Sequence, residues 1–215
     1  MSDAAGARAP ARERWNERYG AGGFEALPDE PAQWLVEHRE LLGELVAAGG
    51  RRDGAGGGVP RAIDVACGDG RNARYLAELG FAVDAVDVSD VAIAALCSAA
   101  SASGLAIDAR VLDLEHEPLP ADAYDVVVCM SYLQRDLFDA LARTLRPGGV
   151  LLYETFARAH VDELGKPFRP DYVLDRNELL RAFGALHVRH YREGIAERRG
   201  GPRGVASLVA QRLAH

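Results

Sequence analysis

Residues 61–73 read Arg-Ala-Ile-Asp-Val-Ala-Cys-Gly-Asp-Gly-Arg-Asn-Ala (RAIDVACGDGRNA), and this stretch decides the fold. Ile63, Val65 and Ala66 are the apolar run of a short buried strand, and Cys67-Gly68-Asp69-Gly70 is a turn too tight for large side chains. Arg71 to Leu79 then takes helical spacing, with Tyr75, Leu76 and Leu79 on one face and Gly80 as the stop. A strand, a glycine turn and a helix in succession aim backbone N–H groups and the positive end of a helix dipole at one point. Gly68 and Gly70 carry no Cβ, so a ligand can approach the backbone there. The pattern predicts a nucleotide-type pocket.

Downstream the pattern is βαβα. Strands are expected over Phe81 to Val86, Ile107 to Leu112, Tyr124 to Met130 and Val150 to Phe156. Val126-Val127-Val128 is the continuous apolar run of a central parallel strand. Helices are expected from the Ser89 cap to about Ser101, with Gly104 as stop, and from Arg135 to Leu145 before Pro147-Gly148-Gly149. Residues 157–174 read as a long polar loop carrying Pro167 and Pro170, and such loops are usually functional. Asp175 and Glu178 suggest a capping box opening a helix to about Phe183. Leu186 to Tyr191 and Val205 to Leu213 then read as a hairpin across the 194–204 connection. The fold class is therefore α/β, a doubly wound and mostly parallel Rossmann-like sheet with an antiparallel last strand.

Upstream, residues 1–10 read as a disordered tail, and 11–215 as one domain. Its parts are N-terminal helices over 11–48, a Gly-rich connector over 49–58, a cofactor-binding core over 59–156, and a substrate-side loop with C-terminal hairpin over 157–215. The first helix, ARERWNERYG, sets Trp15 and Tyr19 four apart on one face; the second is expected from Gln33 to about Ala48, with His38 packed on its apolar stripe. The connector has six glycines in ten residues and lacks the Lys-Ser/Thr ending of a P-loop.

Composition narrows the partners. Hydrophobic content of 48% and charged content of 27% are those of a globular chain, and no apolar run approaches a membrane span. No leader with an apolar core opens the sequence, and Cys67, Cys97 and Cys129 are odd in number and widely spaced, which predicts a cytoplasmic setting with reduced thiols. A net charge of −7 with a single lysine, Lys166, favours a small-molecule substrate over nucleic acid. His187 and His190, three apart on a strand, are expected to face opposite sides, so no metal site is expected.

Gly68-x-Gly70-x-x-Ala73 with Asp87 downstream satisfies a dinucleotide fingerprint. Three features point elsewhere. Asp64 places a carboxylate inside the first strand, suited to a ligand amine; Asp113-Leu114 follows the third strand, where an adenine amine needs an acceptor. With the chain read as one domain, no second domain is expected to present a hydride acceptor.

With these motifs in order over 61–156, the chain resembles the class I S-adenosylmethionine-dependent methyltransferases. The resemblance implies S-adenosyl-L-methionine as cofactor, with Asp64, Ala66, Gly68 and Gly70 lining its methionine end. It puts Asp87 and Val88 at the ribose, Asp113 and Leu114 at the adenine, and Met130 in the fourth motif (DVVVCMSY, 125–132). A closer resemblance, carried by Trp15-Asn16-x-Arg18-Tyr19 and by Tyr153-Glu154-Thr155-Phe156, is to small tellurite-resistance-type methyltransferases, and adds Trp15, Arg18 and Tyr19 on the cofactor side. Trp15 and Tyr19 read either as a hydrophobic clasp or as a lid that excludes water.

Methyl transfer is an in-line displacement in which orientation and exclusion of water dominate. The expected acceptor is a small molecule, an oxyanion or a thiol; a neutral hydroxyl or amine would call for a base. Weak catalytic candidates beyond the strand ends are Tyr132 and Arg135 after the fourth strand and His160, expected in an exposed loop, after the fifth. Arg158 joins Arg135 as a candidate anion contact. The alternatives are a nicotinamide-dependent oxidoreductase and a non-catalytic S-adenosylmethionine-binding protein. Oligomeric state is not encoded in any of these signals.

Overall fold

Seven strands form one sheet in the order β3-β2-β1-β4-β5-β7-β6. They are β1 (Arg61–Val65), β2 (Ala82–Asp87), β3 (Ile107–Val111), β4 (Tyr124–Met130), β5 (Leu145–Phe156), β6 (His187–Ala196) and β7 (Arg203–Gln211). β1 to β5 are parallel, and β7 runs antiparallel between β5 and β6. The expected Rossmann-like sheet with its antiparallel strand is thus present. This computed structural model describes residues 10–20, 30–49, 58–198 and 200–214. Nearly all of the tail and of the Gly-rich connector expected from the sequence lies outside them.

The helices are α1 (Ala11–Gly20), α2 (Gln33–Glu37), α3 (Arg39–Gly49), α4 (Arg71–Glu78), α5 (Asp90–Ser103), α6 (Phe138–Thr144), α7 (Ala159–Asp162) and α8 (Glu178–Ala182). They cover both sheet faces. Ala62, Val126, Val128 and Leu152 pack with Trp34, Leu42, Leu76 and Leu96 on one side. Ile63, Val127, Leu151 and Tyr153 pack with Leu141, Leu179 and Phe183 on the other. Every residue of β4 is buried, as its apolar run requires of a strand sandwiched between two helical layers. Among the described residues no helix is long and apolar enough to cross a membrane.

Several expectations need correction. The helix expected over Gln33 to Ala48 is two helices, because His38 leaves helical geometry (φ −108°) and its Nδ1 lies 2.8 Å from the Trp34 carbonyl oxygen. The stretch Arg135 to Leu145 opens as a 3-10 turn and becomes α-helical only at Phe138. Pro147-Gly148-Gly149 does not delay the fifth strand, which begins at Leu145. Gly148 (φ +84°) bends it, while the Gly148 amide donates to the Arg212 carbonyl and the Arg212 amide to Gly149.

The 157–174 stretch is ordered rather than open loop. It contains α7 and a 3-10 turn at Pro170–Tyr172, and Ala157 bridges to Leu174. Glu178 does reach back to the Asp175 amide (2.7 Å), but Asn177 in left-handed geometry occupies the cap of α8, and the Asp175 side chain does not. In β6 a bulge at Arg189 sets His187 opposite Gln211 and His190 opposite Val209, two positions apart on β7. The two histidines therefore share a face, contrary to the simple alternation, and His190 packs edge-on against His38 at 5.0 Å.

The seam between α7 and β7 is the tightest backbone approach. The Gly204 amide donates to His160 Nδ1 (3.2 Å), its carbonyl accepts from Ala157 (3.0 Å), and a Cβ on Gly204 would collide with the His160 backbone. Backbone cannot retreat as a flexible side chain does. Gly204→Ala is therefore expected to destabilise the fold by roughly 2–4 kcal/mol. Urea denaturation reads this directly, and an unchanged midpoint would refute the close-approach argument.

Candidate functional site

The strand order reverses between β1 and β4, which places a crevice beyond their carboxyl ends. Backbone strain gathers there. Ala66 (φ +56°) follows β1 and Ser131 (φ +59°) follows β4, both left-handed without being glycine. Gly68 (φ +58°) and Gly70 (φ +82°) complete the turn into α4. Gly70 is required twice over, since a Cβ there would also overlap the Leu96 side chain.

The turn is tied to the next strand. The Cys67 amide donates to the Val86 carbonyl (3.0 Å), and the Gly68 amide donates to Asp87 Oδ2 (2.9 Å). Asp87 Oδ1 accepts from the Ser89 amide (2.9 Å). Burial pushes the Asp87 carboxyl above its ordinary range, and the Ser89 and Gly68 amides hold it back only in part. Each oxygen keeps acceptor capacity beyond its one amide, as paired hydroxyls need. Val88, next in the chain, is half-buried.

Asp64 differs from the other buried carboxylates. At the amino end of the sheet, Asp84 accepts from Arg61 (2.9 Å), Arg110 (3.3 Å) and the Tyr124 hydroxyl, and Asp125 accepts from Arg146 (3.2 Å) and the Arg61 amide (2.8 Å). Asp64 is 1% exposed, and neither of its oxygens has a hydrogen-bond partner among the described residues. The Ala73 amide and the Arg71 charge favour its anion, but the Ala73 amide falls short of a hydrogen bond. Burial dominates and pushes the carboxyl up to about 7. A buried carboxylate without a partner is costly, and a cationic ligand group relieves that cost. The site therefore fits a ligand presenting an amine, with Gly68 and Gly70 beside it.

On the far side of Asp87, Asp113 follows β3. Slight burial raises its carboxyl, but the Glu115 amide (3.0 Å) and His116 Nδ1 (2.9 Å) outweigh this and hold it below the ordinary range. Asp113 thus organises its own turn, and it also brings Glu115 and His116 within 4.8 Å of itself at the surface. Leu114 is buried, and its carbonyl accepts from Gln134 Nε2 (3.3 Å). Gln134 Oε1 accepts from the Tyr132 hydroxyl (2.6 Å), and the Tyr132 carbonyl accepts from Tyr153 (2.7 Å). Burial, with Cys129, Glu115, Asp87 and Asp113 nearby, raises the Tyr132 phenol, so it keeps its proton at neutral pH. Met130 is buried at the end of β4.

The N-terminal residues come to the same place. Burial, with Asp87, Asp69 and Cys67 beside it, raises the Tyr19 phenol, and a Cβ on Gly68 would collide with the Tyr19 hydroxyl. Tyr19 lies 6.2 Å from Trp15 ring to ring, and the Arg18 guanidinium sits over Trp15 at 5.4 Å. α1 covers the glycine turn.

The catalytic candidates fare differently. His160 is 6% exposed, not loop-borne and open: its Nδ1 accepts from Gly204, and its ring packs against Phe156 (4.7 Å) and Phe168 (5.7 Å). Burial, then Lys166 and Arg203, lowers its pKa, so the neutral ring is a packing element. Arg135 forks onto Glu178 (2.7 and 3.0 Å) and donates to the Asp171 (3.2 Å) and Val173 (3.0 Å) carbonyls. It ties the start of the 3-10 turn to the 171–178 segment. Arg158 lies 3.8 Å from Asp162 and is partly exposed. Sequence reasoning passed over Ser89 as a site neighbour, Gln134, and Glu154. Glu154 shares a row with Met130 and pairs with Arg198 (3.0 Å) and Ser207 (2.5 Å). Ser89 reads from sequence only as a helix cap and Glu154 only as part of a family motif, and Gln134 carries no motif signal; the loops after β2 and β4 and the β4–β5 register bring them near.

The folded-state carboxyl of Asp64 lies above its unfolded value, so native protein holds a proton there that the unfolded chain releases. That penalty grows as pH rises from about 4 to about 7 and then levels off. Asp64→Asn removes it. Relative to wild type, the variant should gain roughly 2–3 kcal/mol more stability at pH 8 than at pH 5. Urea melts at both pH values test this, and a pH-independent difference would show Asp64 to be paired.

Comparison with known proteins agrees with this geometry. Residues 62–149 match the methyltransferase domain family. The chain is 34% identical over 114 residues to malonyl-[acyl-carrier protein] O-methyltransferase of Yersinia pestis, covering 50% of this chain and 40% of that protein. It is 33% identical over 134 residues to ubiquinone biosynthesis O-methyltransferase of Burkholderia multivorans, covering 58% and 50%. The chain spans half or less of the length of these two curated relatives. Among solved structures, TehB from Haemophilus influenzae aligns with a TM-score of 0.61 at 22% identity, covering 79% of this chain and 62% of that one. A protein solved in work on conversion of a disulfide bond into a thioacetal group during echinomycin biosynthesis aligns at 0.69 and 20% identity, covering 94% and 91%. These two likenesses are of fold.

Proposed function

We propose that this chain, whose residues 62–149 match the methyltransferase domain family, is a class I S-adenosylmethionine-dependent methyltransferase that binds S-adenosyl-L-methionine in the β1–β4 crevice and methylates a small-molecule acceptor. The observation that carries the proposal is Asp64, buried beside a glycine turn and without a hydrogen-bond partner among the described residues. In this reading Asp64 meets the cofactor's ammonium group, and Ala66, Gly68 and Gly70 let its methionine end lie on the backbone. Asp87 and Val88 take the ribose, Asp113 and Leu114 flank the adenine, and Met130 lies at the transfer end. Trp15, Arg18 and Tyr19 close the pocket from above.

When bound, the sulfonium supplies an already activated methyl group. The residues then have to orient the acceptor and exclude water, which the buried β4 end and α1 are placed to do. Three of the four candidates for handling a proton or an anion are otherwise engaged, His160 in packing, Arg135 on Glu178 and Tyr132 as a retained phenol, while the fourth, Arg158, lies partly exposed 3.8 Å from Asp162. This favours an acceptor that arrives as its own nucleophile, an ionised oxyanion or a thiol. Arg135 is not the contact that would hold such an oxyanion. Acidity of the chain and its three free thiols fit a small-molecule enzyme of the cytoplasm.

Calorimetric titration with S-adenosylmethionine, S-adenosylhomocysteine and NADH separates the readings. The first two should bind and NADH should not. Asp87→Ala should weaken S-adenosylhomocysteine by at least about tenfold, the scale of a lost hydrogen bond to a charged group. Asp64→Asn, which leaves the turn amides untouched, should weaken it as well. Binding of NADH alone would mark a nicotinamide-dependent oxidoreductase. Donor binding without product from any acceptor would mark a non-catalytic binding protein.

A further inference from the structure

One face of α1 is built from Arg12, Asn16 and Tyr19, at spacings of four and three. All three reach the loop that follows β2 or the glycine turn. Arg12 lies 3.6 Å from Asp90, Asn16 Nδ2 donates to Asp90 Oδ1, and Asn16 Oδ1 accepts from the Ser89 hydroxyl (2.8 Å). Tyr19 covers Gly68. Ser89 also caps α5 by accepting from the Ala92 amide (3.2 Å), and its own amide holds Asp87. A continuous run of hydrogen bonds thus passes from Gly68 through Asp87 and Ser89 to Asn16, and α1 returns over Gly68 through Tyr19.

We infer that Asn16 is a positioning residue, the latch that seats α1 over the bound cofactor by reading the Ser89 hydroxyl and the Asp90 carboxylate together. The inference rests on the reading that this crevice holds S-adenosylmethionine. The Asn16 amide supplies an acceptor for Ser89 and a donor for Asp90 from separate atoms of one short side chain. Alanine provides neither. Aspartate provides the acceptor but sets a second carboxylate against Asp90. The latch joins the lid to the same carboxylate that takes the ribose, so a cofactor that orders Asp87 also orders the surface on which α1 closes.

The test measures S-adenosylhomocysteine affinity and dissociation rate in wild type, Asn16→Ala, Asn16→Asp, and Asn16→Asp combined with Asp90→Asn. Glu13→Ala on α1 serves as control. Asn16→Ala should weaken binding by about tenfold, mainly through faster dissociation, as loss of charge-assisted hydrogen bonds predicts. Asn16→Asp should do at least as much damage. The double variant exchanges donor and acceptor across the pair and should restore affinity to within about threefold of wild type, a rescue that general helix damage does not give. Limited trypsin digestion at Arg12, Arg14 and Arg18 reads the lid without ligand and should be faster in both single variants. Wild-type affinity and wild-type proteolysis in Asn16→Ala would overturn the latch. Failure of the wild type to bind S-adenosylhomocysteine would instead overturn the cofactor reading, leaving proteolysis to judge the latch alone.

Discussion

The Asp87 carboxylate accepts from the Gly68 amide on one oxygen and the Ser89 amide on the other. Those two bonds join the turn after β1, the end of β2 and the cap of α5. Beside them, the left-handed backbone at Ala66 and Gly68 is held by the Cys67–Val86 and Gly70–Cys67 bonds. Strained backbone persists where its surroundings over-determine it, and here the over-determination comes from a side chain at the mouth of the β1–β4 crevice. Under the proposed function, structure and binding would draw on one group.

Buried charge is distributed unequally between the two ends of the sheet. At the amino end, Asp84 and Asp125 are neutralised by Arg61, Arg110 and Arg146, and the result is a clamp holding β1, β2 and β4 in register. At the carboxyl end, among the described residues, Asp64 faces no hydrogen-bonding partner and Asp87 meets only backbone amides. The unrelieved buried carboxylate thus lies at the carboxyl end of the sheet, where the proposed ligand would meet it, and the paired ones at the amino end. Beside Met130, Glu154 is neutralised by Arg198, and Ser207 also donates to it, so that wall is a closed polar cluster rather than an open charge.

The residues that misled share one property. His160, Arg135 and the 157–174 stretch look exposed and reactive because their neighbours in sequence are polar. His160 is enclosed by Phe156, Phe168 and Gly204, the last of these 44 residues away. Arg135 is claimed by Glu178, 43 residues on. Long-range partners turn candidate catalytic groups into fasteners, and local polarity carries no trace of them. The Arg189 bulge has the same character: one extra residue in β6 reverses the facing that strict alternation assigns to His190.

The sequence by itself determined the order of strands and helices, the glycine turn and the carboxylates at the ends of β1, β2 and β3. Each is written in local terms: apolar period, positive-φ glycine, a capping Ser89 and stopping Gly104. Those signals act within a few residues and survive without knowledge of the fold. Tertiary structure alone decided which polar groups are left without partners. Asp64 and Asp84 are both acids inside apolar strands, indistinguishable by pattern, yet one is unpaired and the other meets two arginines and a tyrosine. It also decided that Asn16 meets Ser89 and Asp90, more than 70 residues away. Hydrogen-bond satisfaction depends on what chain crossing brings together, and no local period encodes it.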